Sequence, residues 1–333
     1  AKLDWRLSTS HNFSLKYNYS NSRQENGTFD VDTWGRSANA IERDFSHAVN
    51  GSLVSLFSSS MPNELRVQYS REERPRPYGG PTIPNSSGTL FGTNGRPFPD
   101  TGADFGFGYR WGMPFFIPIG DYDTRIQVVD NLSVVRGSHL FKAGFEVNRT
   151  STTQTFIGFA NERFIFGSVP GFLGYVGNGP QYVECSNAAG VQVGTNNAGS
   201  CAAFPGTTIS GPLLLYLQFA PVQAGQTAAD AGTQTIDQTE LALFLQDTWK
   251  PSRNLTVNYG LRWEAQIQPD PITPASTVFF NPLIGVTQNG HTFPSDGNIP
   301  SDWTMFQPRF GFAWDVKGDS RDVLRASAGM YSP

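Results

Sequence analysis

The segment Leu241–Glu264, LALFLQDTWKPSRNLTVNYGLRWE, constrains the fold of this chain more than any other. It reads as two strands of about eleven residues joined by a tight turn at Pro251-Ser252-Arg253-Asn254. In the second strand Leu255, Val257, Tyr259, Leu261 and Trp263 alternate with Thr256, Asn258, Gly260, Arg262 and Glu264, which gives one greasy and one polar face. Strands of roughly nine to eleven residues are long enough to cross a bilayer at a tilt.

The same design recurs along the chain. Tight turns are expected at Thr9–Asn12, Ser58–Asn63, Arg136–His139, Pro251–Asn254 and Lys317–Arg321, each between alternating runs. Between these hairpins lie long connections rich in Gly, Pro, Asn and Ser, over 20–46, 71–123, 154–237 and 265–305. Connections longer than about 12 to 15 residues are uncommon in compact domains, yet here every second one exceeds that. Bacterial outer-membrane barrels pair short periplasmic turns with long extracellular loops. The expected fold is therefore all-β: an antiparallel transmembrane β-barrel, with about ten to twelve strands of a larger barrel present. A soluble β-sandwich places turn signals every 8 to 12 residues or so and does not predict long excursions on one side only.

Composition agrees with this reading. Among 333 residues, 35 Gly and 23 Pro suit many turns, and aromatic residues reach 13%. No apolar run approaches the roughly 18 residues of a membrane helix. A mean hydropathy of -0.33 is compatible with a barrel, whose strands show lipid only every second residue. The net charge of -4 leaves no basic footprint for nucleic acid. The sequence starts at Ala1 without a signal peptide and stops at Ser332-Pro333 within a strand-like run. An open sheet edge cannot be satisfied by lipid, so the expectation is that residues 1–333 are an internal part of the barrel domain, with further strands elsewhere.

The alternation assigns faces. Leu65, Val67 and Tyr69 oppose Arg66, Gln68 and Ser70. Phe141, Ala143, Phe145 and Val147 oppose Lys142, Gly144, Glu146 and Asn148. Phe310, Phe312, Trp314 and Val316 oppose Arg309, Gly311, Ala313 and Asp315, and Leu324, Ala326, Ala328 and Met330 oppose Arg325, Ser327 and Gly329. A lipid-facing Arg or Lys near midplane costs about 2 to 4 kcal/mol, so Lys142, Glu146, Arg262, Glu264, Arg309 and Arg325 are expected to face the lumen. There they form either a structural ladder against an internal plug or the wall of a substrate path. Asp130 falls in the apolar register of Ile126, Val128, Leu132 and Val134, for which a β-bulge is expected. Val49–Phe57 alternates weakly. Trp5, Tyr17, Tyr19, Tyr69, Trp249, Trp263, Trp314 and Tyr331 lie near predicted strand ends, as aromatic girdles do.

Signs of catalysis are few. His11, His47, His139 and His291 show no metal-ligand spacing, and neither a nucleophile elbow nor a phosphate-binding glycine loop is present. The acidic pairs Asp30 and Asp32, or Asp296 and Asp302, are oxygen-rich but lack EF-hand spacing, and solvated loops explain them more simply. Arg71, Arg74 and Arg76 in REERPRP suit either lipopolysaccharide phosphates or a mixed-charge rim. Cys185 and Cys201 share one long loop. They form either a disulfide, worth on the order of 3 kcal/mol in an exported compartment, or two free thiols. Tyr109, Trp111, Phe115 and Phe116 in FGYRWGMPFF are candidate ligand contacts, or they pack loop against loop.

Specific motifs narrow the class. Gln246, Asp247, Trp249, Asn254, Leu255, Thr256, Asn258, Gly260, Leu261, Arg262, Trp263 and Glu264 resemble a hairpin of TonB-dependent receptors. Pro308, Arg309, Gly311, Ala313, Trp314, Asp315, Leu324, Arg325 and Gly329 resemble a second such hairpin, and VVDNLSVVRGSHLFKAGFEVNR resembles the Oar-like branch, whose members usually carry a carboxypeptidase-regulatory-like domain. The resemblance covers the last third and residues 124–150 in motif and nearly the whole chain in spacing. It implies an outer-membrane barrel of about twenty-two strands around an N-terminal plug, with a TonB-type protein as energy-coupling partner and outer-membrane lipid and lipopolysaccharide as surroundings. Plug and closing strands are absent from this sequence. The function implied is TonB-dependent uptake of an oligosaccharide, peptide or metal chelate, with no cofactor and no enzyme activity. The rivals are a barrel displaying loops for adhesion or structure, an outer-membrane hydrolase, and a soluble carbohydrate-binding β protein.

Overall fold

The computed structural model describes residues 1–28, 35–84, 95–104, 108–114, 117–156, 163–217, 230, 232–272, 274–277, 280–293 and 296–332. Ten strands form one antiparallel sheet: β1 (Lys2–Arg6), β2 (His11–Thr28), β3 (Asn39–Ser58), β4 (Met61–Arg76), β5 (Ile119–Arg136), β6 (His139–Phe156), β7 (Thr233–Ser252), β8 (Leu255–Ile267), β9 (Asp302–Asp315) and β10 (Val323–Gly329). Each strand pairs with its neighbour in sequence, from β1 at one edge to β10 at the other. All five tight turns expected from the sequence close hairpins of this sheet.

The strands are longer than the sequence pattern suggested. β3 and β7 each run for 20 residues. At about 3.3 Å per residue they reach roughly 65 Å, well beyond what a tilted bilayer crossing requires. The excess lies at the outer end. There β2 and β3 stay paired up to Thr28↔Asn39, through polar residues such as Ser20, Asn21 and Ser22. Apolar alternation stops where the hydrocarbon stops, whereas backbone pairing continues beyond it. The long connections shrink accordingly to 29–38, 77–118, 157–232 and 268–301.

Cross-strand register fixes the faces. One row runs Trp5↔Phe13↔Leu53↔Leu65↔Asp130↔Phe145↔Leu243↔Trp263↔Phe306. The adjacent row on the opposite face holds Asp4, Ser14, Ser52, Arg66, Glu146 and Glu264. Phe145, Leu243, Leu245, Leu261 and Phe310 are exposed in this sheet, as side chains facing a hydrocarbon solvent must be.

Two expectations about strand interiors need correction or explanation. β5 pairs with β4 and β6 without interruption, so Asp130 keeps its apolar register and no bulge relieves it. Its carboxylate accepts instead from Asn63 Nδ2 at 2.9 Å. In β3 the weak alternation arises because Gly51 and Ser55 occupy the apolar face while Val54 and Leu56 turn to the polar one. Phe13 spreads over Gly51, with its Cε2 3.8 Å from where a Cβ would stand, and Ser55 Oγ lies 2.9 Å from His11 Nδ1.

Two substitutions test the wall. A Cβ on Gly144 would press into the Asp130 carbonyl and the Phe244 ring. Gly144→Val should therefore destabilise the barrel by about 1 to 3 kcal/mol, visible as loss of the heat-modifiable folded band on unheated gels. Asn63→Leu strands the Asp130 carboxylate on the apolar face and should cost about 2 kcal/mol in urea titrations of barrel in liposomes. Asp130→Leu removes the unpaired charge and should cost less. Equal losses would show that the pair does not matter.

Candidate functional site

The polar face carries a connected set of charges across β5 to β9. Glu146 accepts from Gln127 Nε2 at 2.5 Å and lies 3.5 Å from Arg262 Nη2. Arg262 Nε donates to Glu264 at 2.7 Å, Gln307 donates to the other oxygen of Glu264, and Arg309 donates to Gln307 at 3.2 Å. A second line runs from Arg125 to Asn148 to Glu240, each bond at 2.8 Å. Lys142 shares a row with Gln246, Gly260 and Arg309, and Arg325 stands opposite Ala313. All six residues expected to share one face do so. A small pocket of about 230 Å³ opens among Glu146, Glu240, Arg262, Glu264 and Met305.

The outer excursions fold onto one another. Asp100–Ala103 and Tyr109–Trp111 from residues 77–118 join Arg163–Phe166 and Leu213–Leu217 from residues 157–232 in a four-stranded sheet. Asp100–Ala103 runs parallel to Arg163–Phe166. At their junction the Asp100 carboxylate is enclosed. Arg110 Nη2 lies 2.8 and 2.9 Å from its two oxygens, and Arg163 Nε lies 3.4 Å away. One carboxylate thus ties two excursions, and breaking a buried pair of this kind costs about 3 to 5 kcal/mol. Rings extend the contact: Trp111 meets Phe172 edge-on at 5.0 Å, and Phe166 meets Phe172 and Tyr175 at 5.2 and 5.3 Å.

Residues ahead of β3 join the same cap. Ser37 Oγ accepts from the Gly112 amide at 2.8 Å, and Ser37 O accepts from the Tyr78 hydroxyl at 2.9 Å. Burial pushes the Tyr78 phenol up to about 12. Gly112 has φ of 96°, and a Cβ there would run into the Pro99 carbonyl, so only glycine fits. Beyond this sheet the helix Val169–Asn178 is capped by Ser168, whose Oγ accepts from the Gly171 amide at 3.0 Å. Cys185 and Cys201 are joined by a disulfide, with Cα atoms 5.7 Å apart. Cys185 lies on the middle strand of a three-stranded sheet (Val183–Ser186, Gln192–Asn196, Thr208–Gly211).

The ligand-contact candidates separate. Trp111 packs between excursions, Tyr109 is exposed at the sheet edge, and Phe115 and Phe116 lie outside the described residues. Asp30 and Asp32 lie outside them too. Asp296 and Asp302 each find a local partner. The Asn298 amide donates to Asp296 at 2.9 Å and holds it below the usual carboxylate range, and the Thr304 amide donates to Asp302 at 2.8 Å. Among the described residues no group of acids, histidines and cysteines could hold a metal ion. The histidines find ordinary partners: His47 Nδ1 lies 2.7 Å from the Tyr17 hydroxyl, and His139 Nδ1 lies 2.6 Å from Asp247, which also accepts from Tyr259 at 2.8 Å.

A wall with one lipid-facing and one polar side, tight turns at one end and folded excursions at the other, defines a transmembrane β-barrel protein. The whole chain, residues 1–333, matches the family described as Outer membrane beta barrel domain, and the protein belongs to that family and to the outer membrane. No curated protein matches the sequence. Among solved structures it is similar to the outer membrane transporter YddB from Escherichia coli, with 11% identity over 99% of this chain and 31% of that one and a TM-score of 0.50. It is also similar to the ferric enterobactin receptor PfeA from Pseudomonas aeruginosa (12%, 98% and 35%, TM-score 0.47) and to the ferric-catecholate import receptor Fiu from E. coli K12 (10%, 100% and 46%, TM-score 0.43). The chain thus spans less than half the length of each of these.

The clasp can be tested on its own. Asp100→Ala should leave Arg110 and Arg163 without their shared carboxylate and release the cap, at about 3 to 5 kcal/mol locally. Limited proteolysis of intact cells should then cut between residues 77 and 118 well before the parent protein is cut, with the folded barrel band unchanged. Identical cleavage rates would show that the clasp does not hold the cap.

Proposed function

We propose that this chain is about half of the barrel wall of a TonB-dependent outer-membrane receptor that imports an oligosaccharide, peptide or metal chelate. The observation that carries this reading is the pairing of a charged inner face with an elaborate, interlocked outer cap. A wall alone needs neither. The two open edges, β1 and β10, would be unsatisfied in lipid, which supports further strands in the complete protein. Within it Lys142, Glu146, Arg262, Glu264, Arg309 and Arg325 face the lumen and seat an N-terminal plug. The plug in turn is displaced through a TonB-type protein in the inner membrane. Tyr109 supplies aromatic surface to the ligand, while Trp111 holds the cap against Phe172. The barrel acts by binding and passage rather than by chemistry on the ligand.

The full-length gene supplies the test. Its deletion should abolish uptake of at least one compound from a panel of oligosaccharides, peptides and chelates. Collapse of the inner-membrane proton gradient should stop that uptake while leaving surface binding intact. Unchanged binding and uptake across the panel would reject the proposal and favour a barrel that only displays its loops.

A further inference from the structure

The REERPRP segment splits between the two faces of the wall. Arg74 and Arg76 lie on the polar side, where Arg74 pairs with Asp123 at 2.7 Å and Arg76 with Glu42 at 2.6 Å. Arg71 emerges on the other side, opposite His47 and two residues from Tyr69. On that same outward side Arg23 stands directly across from Arg43. Like charges placed directly opposite in an antiparallel pair destabilise it, and a carboxylate meets only one of the two. Arg23 pairs with Glu25 and Arg71 with Glu73. Among the described residues Arg43 has no carboxylate partner, and its guanidinium lies 5.9 Å from the Phe45 ring. Three guanidinium groups therefore share two carboxylates.

In the row of Arg71, four positions below Arg23 and Arg43, lies an aromatic floor. Tyr17 is hydrogen-bonded to His47, and the Tyr19 and His47 rings are 5.0 Å apart. Rings of this kind mark the headgroup level of a membrane. The tight turns lie at the far end of the same strands, so this level belongs to the outer leaflet. We propose that Arg23, Arg43 and Arg71 form a binding site, on the outside of the barrel, for the phosphate groups of an outer-leaflet glycolipid. A guanidinium offers parallel N–H donors that match phosphate oxygens, and a phosphate between Arg23 and Arg43 cancels their repulsion. Tyr19 and His47 provide a platform for the adjoining sugar. A lipid headgroup suits the position because the site faces the bilayer, level with its surface. The proposal rests on the outer-membrane location of the barrel and is independent of any transport role.

The test uses full-length protein purified in detergent and incorporated into phosphatidylcholine nanodiscs with either lipopolysaccharide or the same lipopolysaccharide dephosphorylated. Native mass spectrometry reads the bound glycolipid. Parent protein should retain phosphorylated lipopolysaccharide and lose most of it when the phosphates are removed. Arg43→Gln should weaken retention about fivefold, and the triple variant R23Q/R43Q/R71Q about a hundredfold. The inward pair R74Q/R76Q serves as control and should retain glycolipid as the parent does. Millimolar inorganic phosphate should not displace the glycolipid, whereas displacement would assign the site to free anions and overturn the lipid proposal. Equal retention by parent, R43Q and triple variant would overturn it too. R43Q alone decides if the triple variant loses its heat-modifiable band. If the parent retains no glycolipid yet fractionates with the outer membrane, this site is rejected and the location stands. Fractionation elsewhere would reject both.

Discussion

Hydrocarbon offers a peptide group no hydrogen-bonding partner, and that single requirement organises this molecule. Every N–H and C=O of a membrane-crossing strand must be met by the strand beside it. Unbroken ladders result, in which β5 pairs with β6 for its whole length and with β4 from Ile119 to Leu132. The same solvent also sets the terms for polar side chains on the lipid side. Asp130 is tolerated beside Leu65 and Phe145 with Asn63 donating to it. Asp247 is tolerated where His139 and Tyr259 both reach its Oδ2. In each case the polar group is kept with a neighbour on an adjacent strand, so the ladder that satisfies the backbone also positions the side chains that satisfy one another.

On the other face the solvent is polar and the accounting changes. Glu146, Arg262 and Glu264 stand half-buried beside one another and Arg309 is exposed, and pairs that stay partly solvated in this way contribute little individually. Their value lies in arrangement. Glu264 binds Arg262 with one oxygen and Gln307 with the other, and Gln307 in turn accepts from Arg309. The result is a row of charges fixed in position along neighbouring strands, a surface already organised before anything meets it.

The parts of this structure that a sequence can disclose are those written with a short period. Leu255 to Glu264 declares both its strand and its faces, and the turn at Pro251–Asn254 declares the hairpin. The outward run of β2 past Tyr19 is silent, because Ser20, Asn21 and Ser22 are polar on both faces and carry no alternation. Asp130 misleads for a related reason. A break in the pattern looks like a bulge, whereas a hydrogen bond from Asn63, 67 residues away, repairs it without moving the backbone. The Asp100 clasp has no local signature at all. Arg110 and Arg163 come from different excursions, and only the parallel pairing of Asp100–Ala103 with Arg163–Phe166 brings them to one carboxylate. Trp111 shows the limit of composition: an aromatic loop residue suits a ligand as well as it suits Phe172, and geometry alone assigns it to the helix.

The cap has a mechanical consequence. Residues 35–38, 95–104, 108–114 and 163–217 are linked through Ser37, Gly112, Asp100, Arg110, Arg163 and the Trp111–Phe172 contact. The excursions carrying Asp100 and Arg163 do not open independently, since parting them exposes the carboxylate they share. Residues 268–301 are braced differently, by Gln268 donating to Ser301 and by the Trp263 indole donating to the Trp303 carbonyl. These contacts lie at the base of the excursion, and among the described residues its far part carries local pairs such as Thr287 with Thr292 and the edge-on Phe280–Phe293 contact. The two groups of excursions are thus held differently, the first by a buried carboxylate shared between them and the second by contacts within its own residues.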